Sequence, residues 1–142
     1  MLPNTIDSVE LLAGLQGLAS ETTRRFNVPC DVDAEQFDES VITSDAIAFV
    51  IYQIACEAVH NVIKHAQASQ IYIGLSTMND QFRMTVQDDG IGIAERQNKL
   101  STNGLRIMRY RADSAGGELE IKSVANEGTS VVFTIPRRRC QS

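Results

Sequence analysis

Glu57, Asn61 and Lys64 are spaced for joint chemistry. Steps of four and three residues bring a carboxylate, an amide and an ammonium onto one helical face. Such a set can hold a hard cation together with a phosphate. Oxygen donors suit Mg2+, which keeps several waters and leans on the phosphates of its substrate. A second constellation, Asp88-Asp89-Gly90-Ile91-Gly92-Ile93, follows the strand-like FRMTV. A carboxylate at a strand end can accept from an exocyclic amine such as that of adenine, and glycines let the backbone approach a planar ligand. This D-x-G-x-G pattern is neither a P-loop nor a dinucleotide fingerprint. The third constellation is Asn103-Gly104-Leu105-Arg106, where a helix is expected to start and its amides to form an anion site. The fourth is Glu127-Gly128-Thr129, ahead of the last strand. Taken singly, each has a plainer reading: a solvated helix face, an Asp-Gly turn, a glycine ending a loop, a hairpin turn.

The elements that must position these residues are legible from hydrophobic periodicity. Leu11, Leu12, Leu15, Leu18 and Ala19 recur at helical spacing within Asp7–Phe26, with Asp7 or Ser8 as the cap. A short strand is expected around Val28–Val32. Ile47, Ile51, Ile54, Ala58 and Val62 trace one apolar stripe from an N-cap at Thr43, Ser44 or Asp45 to an end near Ala66–Ser69. The three chemical residues sit beside that stripe, at the rim of the core. The period then changes to two: Ile71, Ile73 and Leu75 alternate with Tyr72, Gly74 and Ser76, and Phe82, Met84 and Val86 repeat the alternation after a turn at Asn79-Asp80. A polar stretch follows, then a third helix from about Gly104 to Gly116-Gly117, then strands at Glu118–Val124 and Thr129–Ile135. Hairpins separated by helices give an α/β (α+β) two-layer sandwich, its sheet mixed and largely antiparallel, with helices on one face.

Composition sets the outer bounds. The chain has 142 residues, 43% hydrophobic and 22% charged, which suits one folded domain. A net charge of −5 argues against direct nucleic-acid binding. No apolar run approaching about 20 residues and no secretory signal are read from the sequence, so no membrane contact is expected within it. Cys30, Cys56 and Cys140 are odd in number and lack C-x-x-C spacing, which disfavours a disulfide framework or a zinc site and fits a reducing, cytoplasmic setting. Arg137–Arg139 are read as part of a solvated basic tail, 137–142, beyond a domain spanning 1–136.

In order and spacing, the four constellations together resemble the ATP-binding domain of sensor histidine kinases, in the superfamily that includes DNA gyrase, the Hsp90 chaperones and MutL. EAVHNVIKHAQAS resembles the asparagine box, VQDDGIGI the first glycine box, and EGTSVVFTIP the closing strand. NGLRIMRYRADSAGG resembles the second glycine box, in the form typical of kinases whose response regulators carry helix-turn-helix outputs. The resemblance covers Leu2 to Pro136 and implies a Bergerat-type fold that binds ATP and Mg2+. It implies that Asn61 ligates Mg2+ and that Glu57 orients a metal-bound water or assists proton transfer. Lys64 and His65 would face the phosphates. Asp88 would accept from the adenine amine, with Gly90 and Gly92 giving the base room. Gly104 and Leu105 would present amides to the phosphates, Thr129 would sit near the adenine, and Ala94–Asn103 would form the ATP lid.

Such kinases phosphorylate a histidine that is followed by an acidic residue on a separate dimerisation domain. Here His60 precedes Asn61 and His65 precedes Ala66, both inside the asparagine box. The resemblance therefore implies a catalytic domain whose partners are the dimerisation and phosphoacceptor domain of the same kinase and a downstream response regulator. On this reading the chain does not autophosphorylate alone. Two alternatives stand beside it: an anti-sigma-factor-type serine kinase, and a non-catalytic module that binds nucleotide or protein.

Overall fold

The structure, a computed structural model, describes residues 5–91 and 95–141, with backbone alone at 66 and 95–103. The elements run α1 (Leu11–Phe26), β1 (Cys30–Gln36), a 3-10 turn (Glu39–Val41), α2 (Asp45–Asn61) continuing into a π-helical turn (Val62–Ala66), β2 (Ile71–Met78), β3 (Gln81–Asp88), α3 (Glu95–Ala115), β4 (Glu118–Val124), β5 (Gly128–Pro136) and α4 (Arg137–Cys140). The strands form one sheet in the order β1-β2-β3-β5-β4. β1 runs parallel to β2, and every other pairing is antiparallel. The parallel pair needs a crossover between its strands, and α2 supplies it.

The alternation read from the sequence decides which face of the sheet is covered. Ile73 stands opposite Val86, Val86 opposite Val131, and Met84 is flanked by Leu75 and Phe133. All of these side chains are buried, whereas the intervening Arg83 and Gln87 are exposed. The helices pack on the apolar side only, giving the expected two layers. Helix α1 lays Leu11, Leu15, Leu18 and Ala19 on this core. Its approach is fixed by a reciprocal pair: the Glu10 amide donates to Asp7 Oδ1 at 2.9 Å, and the Asp7 amide donates to Glu10 Oε1 at 3.2 Å. Helix α2 is capped by Ser44, whose Oγ accepts from the Ile47 amide at 3.2 Å. By length and composition, Asp45–His65 would suffice to cross a membrane, which corrects the expectation that no apolar run approaches that length. Its apolar stripe, including Ile51, Ile54 and Ala55, is buried against the domain's own sheet and helices.

Three boundaries differ from expectation. β1 occupies Cys30–Gln36, later than Val28–Val32, because it pairs with β2 through Asp31↔Tyr72 and Val32↔Ile73 despite a run of acids with low strand propensity. Helix α3 starts at Glu95, so the segment expected to be a lid loop has a helical backbone. That segment lacks an apolar stripe, but its Glu, Arg, Gln, Lys and Leu are all strong helix formers. The C-terminal residues are packed in part. The three arginines are exposed, but Cys140 is fully buried and its carbonyl accepts from the amides of Thr43 and Ser44 at 2.9 and 2.8 Å. The three cysteines are free, and burial pushes the thiols of Cys30 and Cys140 up to about 11.

Candidate functional site

One small cavity gathers residues from all four sequence motifs. The end of α2 and its π turn contribute Ala58, Asn61, Val62 and His65; β3 contributes Val86 and Asp88; β5 contributes Thr129 and Val131; and α3 closes it with Leu105 and Met108. The walls are mostly apolar, and a few polar groups converge on the space, as in small-molecule sites.

Asp88 anchors the floor. It ends β3 in a buried position. Its Oδ1 accepts from the Gly90 amide at 2.8 Å, and the Thr129 amide also bonds the carboxylate. Burial pushes its pKa above the ordinary carboxylate value, while the two amides pull the other way and keep the ionised form supported. Gly128 makes this approach possible: its φ is +109°, and a Cβ there would collide with the Asp88 carbonyl oxygen. The glycine turn is tied to the β4–β5 turn by the Asn126 amide, which donates to the Ile91 carbonyl at 2.7 Å. Thr129 is buried, and its hydroxyl pairs with that of Ser123 at 3.1 Å.

Asn61 lies across the cavity at the last α-helical residue of α2. Its Nδ2 is buried without a hydrogen-bond partner. An orphaned amide is costly in an interior and marks a group held for something else. The oxygen and nitrogen of an amide are interchangeable by a flip, so the same position can offer an oxygen to a cation. Just beyond it the helix widens into the π turn Val62–Ala66, which ends in Gln67 at a left-handed φ of 51°. A π turn rotates less per residue than an α turn, which keeps His65 over the face of Asn61 and swings Lys64 away. His65 therefore lines the cavity, while Lys64 is exposed.

Glu57 is half-buried and lines a separate groove between α1 and α2, together with residues such as Phe26, Phe49 and Arg111. Its Oε1 reaches Gly104, where an added Cβ would collide with it and would also lie 3.0 Å from the Asn61 amide. Gly104 is buried inside α3 and not at its start, which corrects the expected helix N-terminus there. Its role in this conformation is to let α3 seat closely on α2. Gly90 is buried in the turn after Asp88. Gly92 and Ala94 lie outside the described residues. The cavity is also lined by Ala58 and Val62 of the predicted α2 stripe, by Val86 of the predicted alternation, and by Met108 and Val131, which no predicted stripe singled out; Gly128 belongs to the Glu127-Gly128-Thr129 motif.

The cavity volume is about 20 Å3, room for about one water. A drug-sized ligand needs a few hundred Å3. A nucleotide therefore needs more room than this conformation gives between α2, α3 and the sheet. The arrangement thus sets an anionic acceptor on one wall and an unpartnered amide on the other.

A family model described as histidine kinase-, DNA gyrase B-, and HSP90-like ATPase matches residues 47–139. The chain is 33% identical over 129 residues to the nitrate/nitrite sensor protein NarX of Escherichia coli, covering 90% of this chain and 21% of NarX. It is 32% identical over 134 residues to the sensor histidine kinase LiaS of Bacillus subtilis, covering 94% of this chain and 36% of LiaS. Among solved structures, the blue-light activated histidine kinase of Erythrobacter litoralis matches with a TM-score of 0.74 and 29% identity, covering 93% of this chain and 46% of that one. The chain therefore spans less than half the length of each.

Proposed function

Because the chain belongs to the histidine kinase-, DNA gyrase B- and HSP90-like ATPase family, we propose that it is the ATP-binding catalytic domain of a two-component sensor histidine kinase. Its partners on this reading are a helical dimerisation domain bearing the acceptor histidine and a downstream response regulator, and its setting is the cytosol. The observation that carries the reading is the pairing of buried Asp88, fixed by the Gly90 and Thr129 amides, with the unpartnered Asn61 amide across one cavity.

The residues fit the nucleotide and metal in their chemistry. Asp88 accepts a hydrogen bond from the exocyclic amine of adenine, and Val86, Val131 and Met108 supply apolar surface for the base. Asn61 offers its amide oxygen to Mg2+. The donor set is sparse: among the described residues no group of three or more His, Cys, Asp or Glu could hold a metal ion. That suits a cation held largely by phosphates and water. Held there by Asn61, Mg2+ would supply neutralisation of the charge that develops during phosphoryl transfer. His65 lines the phosphate side, and Glu57 sits beside Asn61 and Gly104, where it can orient a water or hold a proton. Gly104 and Leu105 can offer amides to phosphates only when this part of α3 leaves its closed seat. Lys64 is exposed and free to turn toward the phosphates. The protein's contribution is then positioning and electrostatics.

The test is phosphoryl transfer from labelled Mg-ATP to a purified helical dimerisation domain carrying a histidine. Acid-labile label on that histidine supports the reading. Label confined to serine of a protein substrate, or no transfer from a domain that binds Mg-ATP, overturns it.

A further inference from the structure

Two adjacent aspartates leave the end of β3 for different tasks. Asp88 is buried at the cavity, while Asp89 is exposed and turned toward the chain that leaves α2. Asp89 Oδ1 accepts from the backbone amides of Ser69 at 2.8 Å and Gln70 at 3.0 Å. Its Oδ2 accepts from the Ser69 hydroxyl. These bonds, the hydroxyl's first, hold the carboxyl below the ordinary value, so it stays ionised through the neutral range. The β2–β3 ladder reaches its end at the pair Ile71↔Asp88. Asp89 extends the connection past that end, using a side chain where backbone pairing stops.

We propose that Asp89 is a positioning residue for nucleotide binding. It clamps the segment after the π turn to the glycine turn, so that the helix end bearing Asn61 and His65 keeps a fixed separation from the strand end bearing Asp88. The proposal rests on the nucleotide-binding reading above. The other side of the glycine turn is already held by the Asn126–Ile91 and Thr129–Asp88 bonds. Without Asp89, the side facing the asparagine box loses all three side-chain bonds that reach Ser69 and Gln70. Solvent can replace exposed bonds of this kind, so their loss costs little stability. A site that needs its groups within about half an ångström loses much more.

The test compares Mg-ATP affinity by calorimetry with thermal melting for the whole chain carrying Asp89→Ala, Asp89→Asn or Ser69→Ala. Asparagine keeps an oxygen for both amides and gains an N–H for the Ser69 hydroxyl. Asp89→Ala is expected to weaken binding about tenfold and Asp89→Asn by about twofold or less, both with melting temperatures near wild type. Ser69→Ala falls between them and adds nothing to Asp89→Ala. It also keeps the question open to measurement should Asp89→Ala fold poorly. Wild-type affinity in Asp89→Ala overturns the clamp. So does Asp89→Asn as weak as Asp89→Ala, or an affinity loss that only tracks loss of stability. If wild type itself fails to bind Mg-ATP, the nucleotide reading falls and the clamp falls with it.

Discussion

Replacing Asp88 by asparagine separates binding from stability. The carboxylate is buried at 5% exposure, and burial is the largest influence raising its pKa. A carboxyl with a raised folded-state pKa stabilises the fold below its unfolded pKa, and that contribution is lost as pH rises through the folded value. At neutral pH, ionised Asp88 is therefore a cost to the fold. Asp88→Asn removes the charge and leaves one oxygen for the Gly90 and Thr129 amides, so the melting temperature should stay near wild type. The opposite holds for the ligand. The exocyclic amine of adenine loses a charged acceptor and meets an N–H, and hydrogen bonds to charged groups are worth about 1.5–3 kcal/mol. That predicts ATP binding weaker by about tenfold to a hundredfold. Titration calorimetry with Mg-ATP, paired with thermal melts from pH 4 to 8, measures both halves. Wild-type binding should weaken as pH falls through the raised pKa, and the stability difference between variant and wild type should grow with pH. Asp88→Asn binding ATP as tightly as wild type would refute the reasoning, as would a variant that melts well below it.

Other substitutions probe separate parts of the site and the fold. Asn61→Ala removes an unpartnered buried amide, so it should leave melting unchanged while flattening the Mg2+ dependence of nucleotide affinity, read by titrations with and without chelator. Gly128→Ala forces a side chain into φ +109° and against the Asp88 carbonyl, and should cost about 3 kcal/mol or more by denaturant unfolding. Gly17 lies exposed inside α1, and a Cβ added there would meet nothing within 4 Å, so Gly17→Ala should raise stability by about 1 kcal/mol without touching nucleotide affinity.

Much of this architecture was legible because periodicity and burial coincide. Ile71, Ile73 and Leu75 alternate on one strand and Phe82, Met84 and Val86 on the next, and these residues do line the buried face. The stripe from Ile47 to Val62 likewise predicted α2. The start of α3 was obscured because polar helix formers without an apolar stripe read as loop. Burial of Cys140 depends on carbonyl bonds to Thr43 and Ser44, a contact across most of the chain that no local pattern reveals. At the site, Asn61 and Asp88 were legible from residue type and spacing. His65 was named there together with Lys64; that Lys64 stays exposed while His65 lines the cavity was not legible, because the π turn changes the helical phase.

The central claim is that this cavity opens to hold an adenine nucleotide against Asp88. Calorimetric titration of the chain with Mg-ATP and Mg-GTP tests it most directly. GTP places a carbonyl oxygen where ATP has the amine, and that oxygen faces a carboxylate. Saturable one-to-one binding of Mg-ATP and much weaker binding of Mg-GTP are the predicted results. Absence of heat at millimolar Mg-ATP, or equal affinity for the two nucleotides, would contradict the claim.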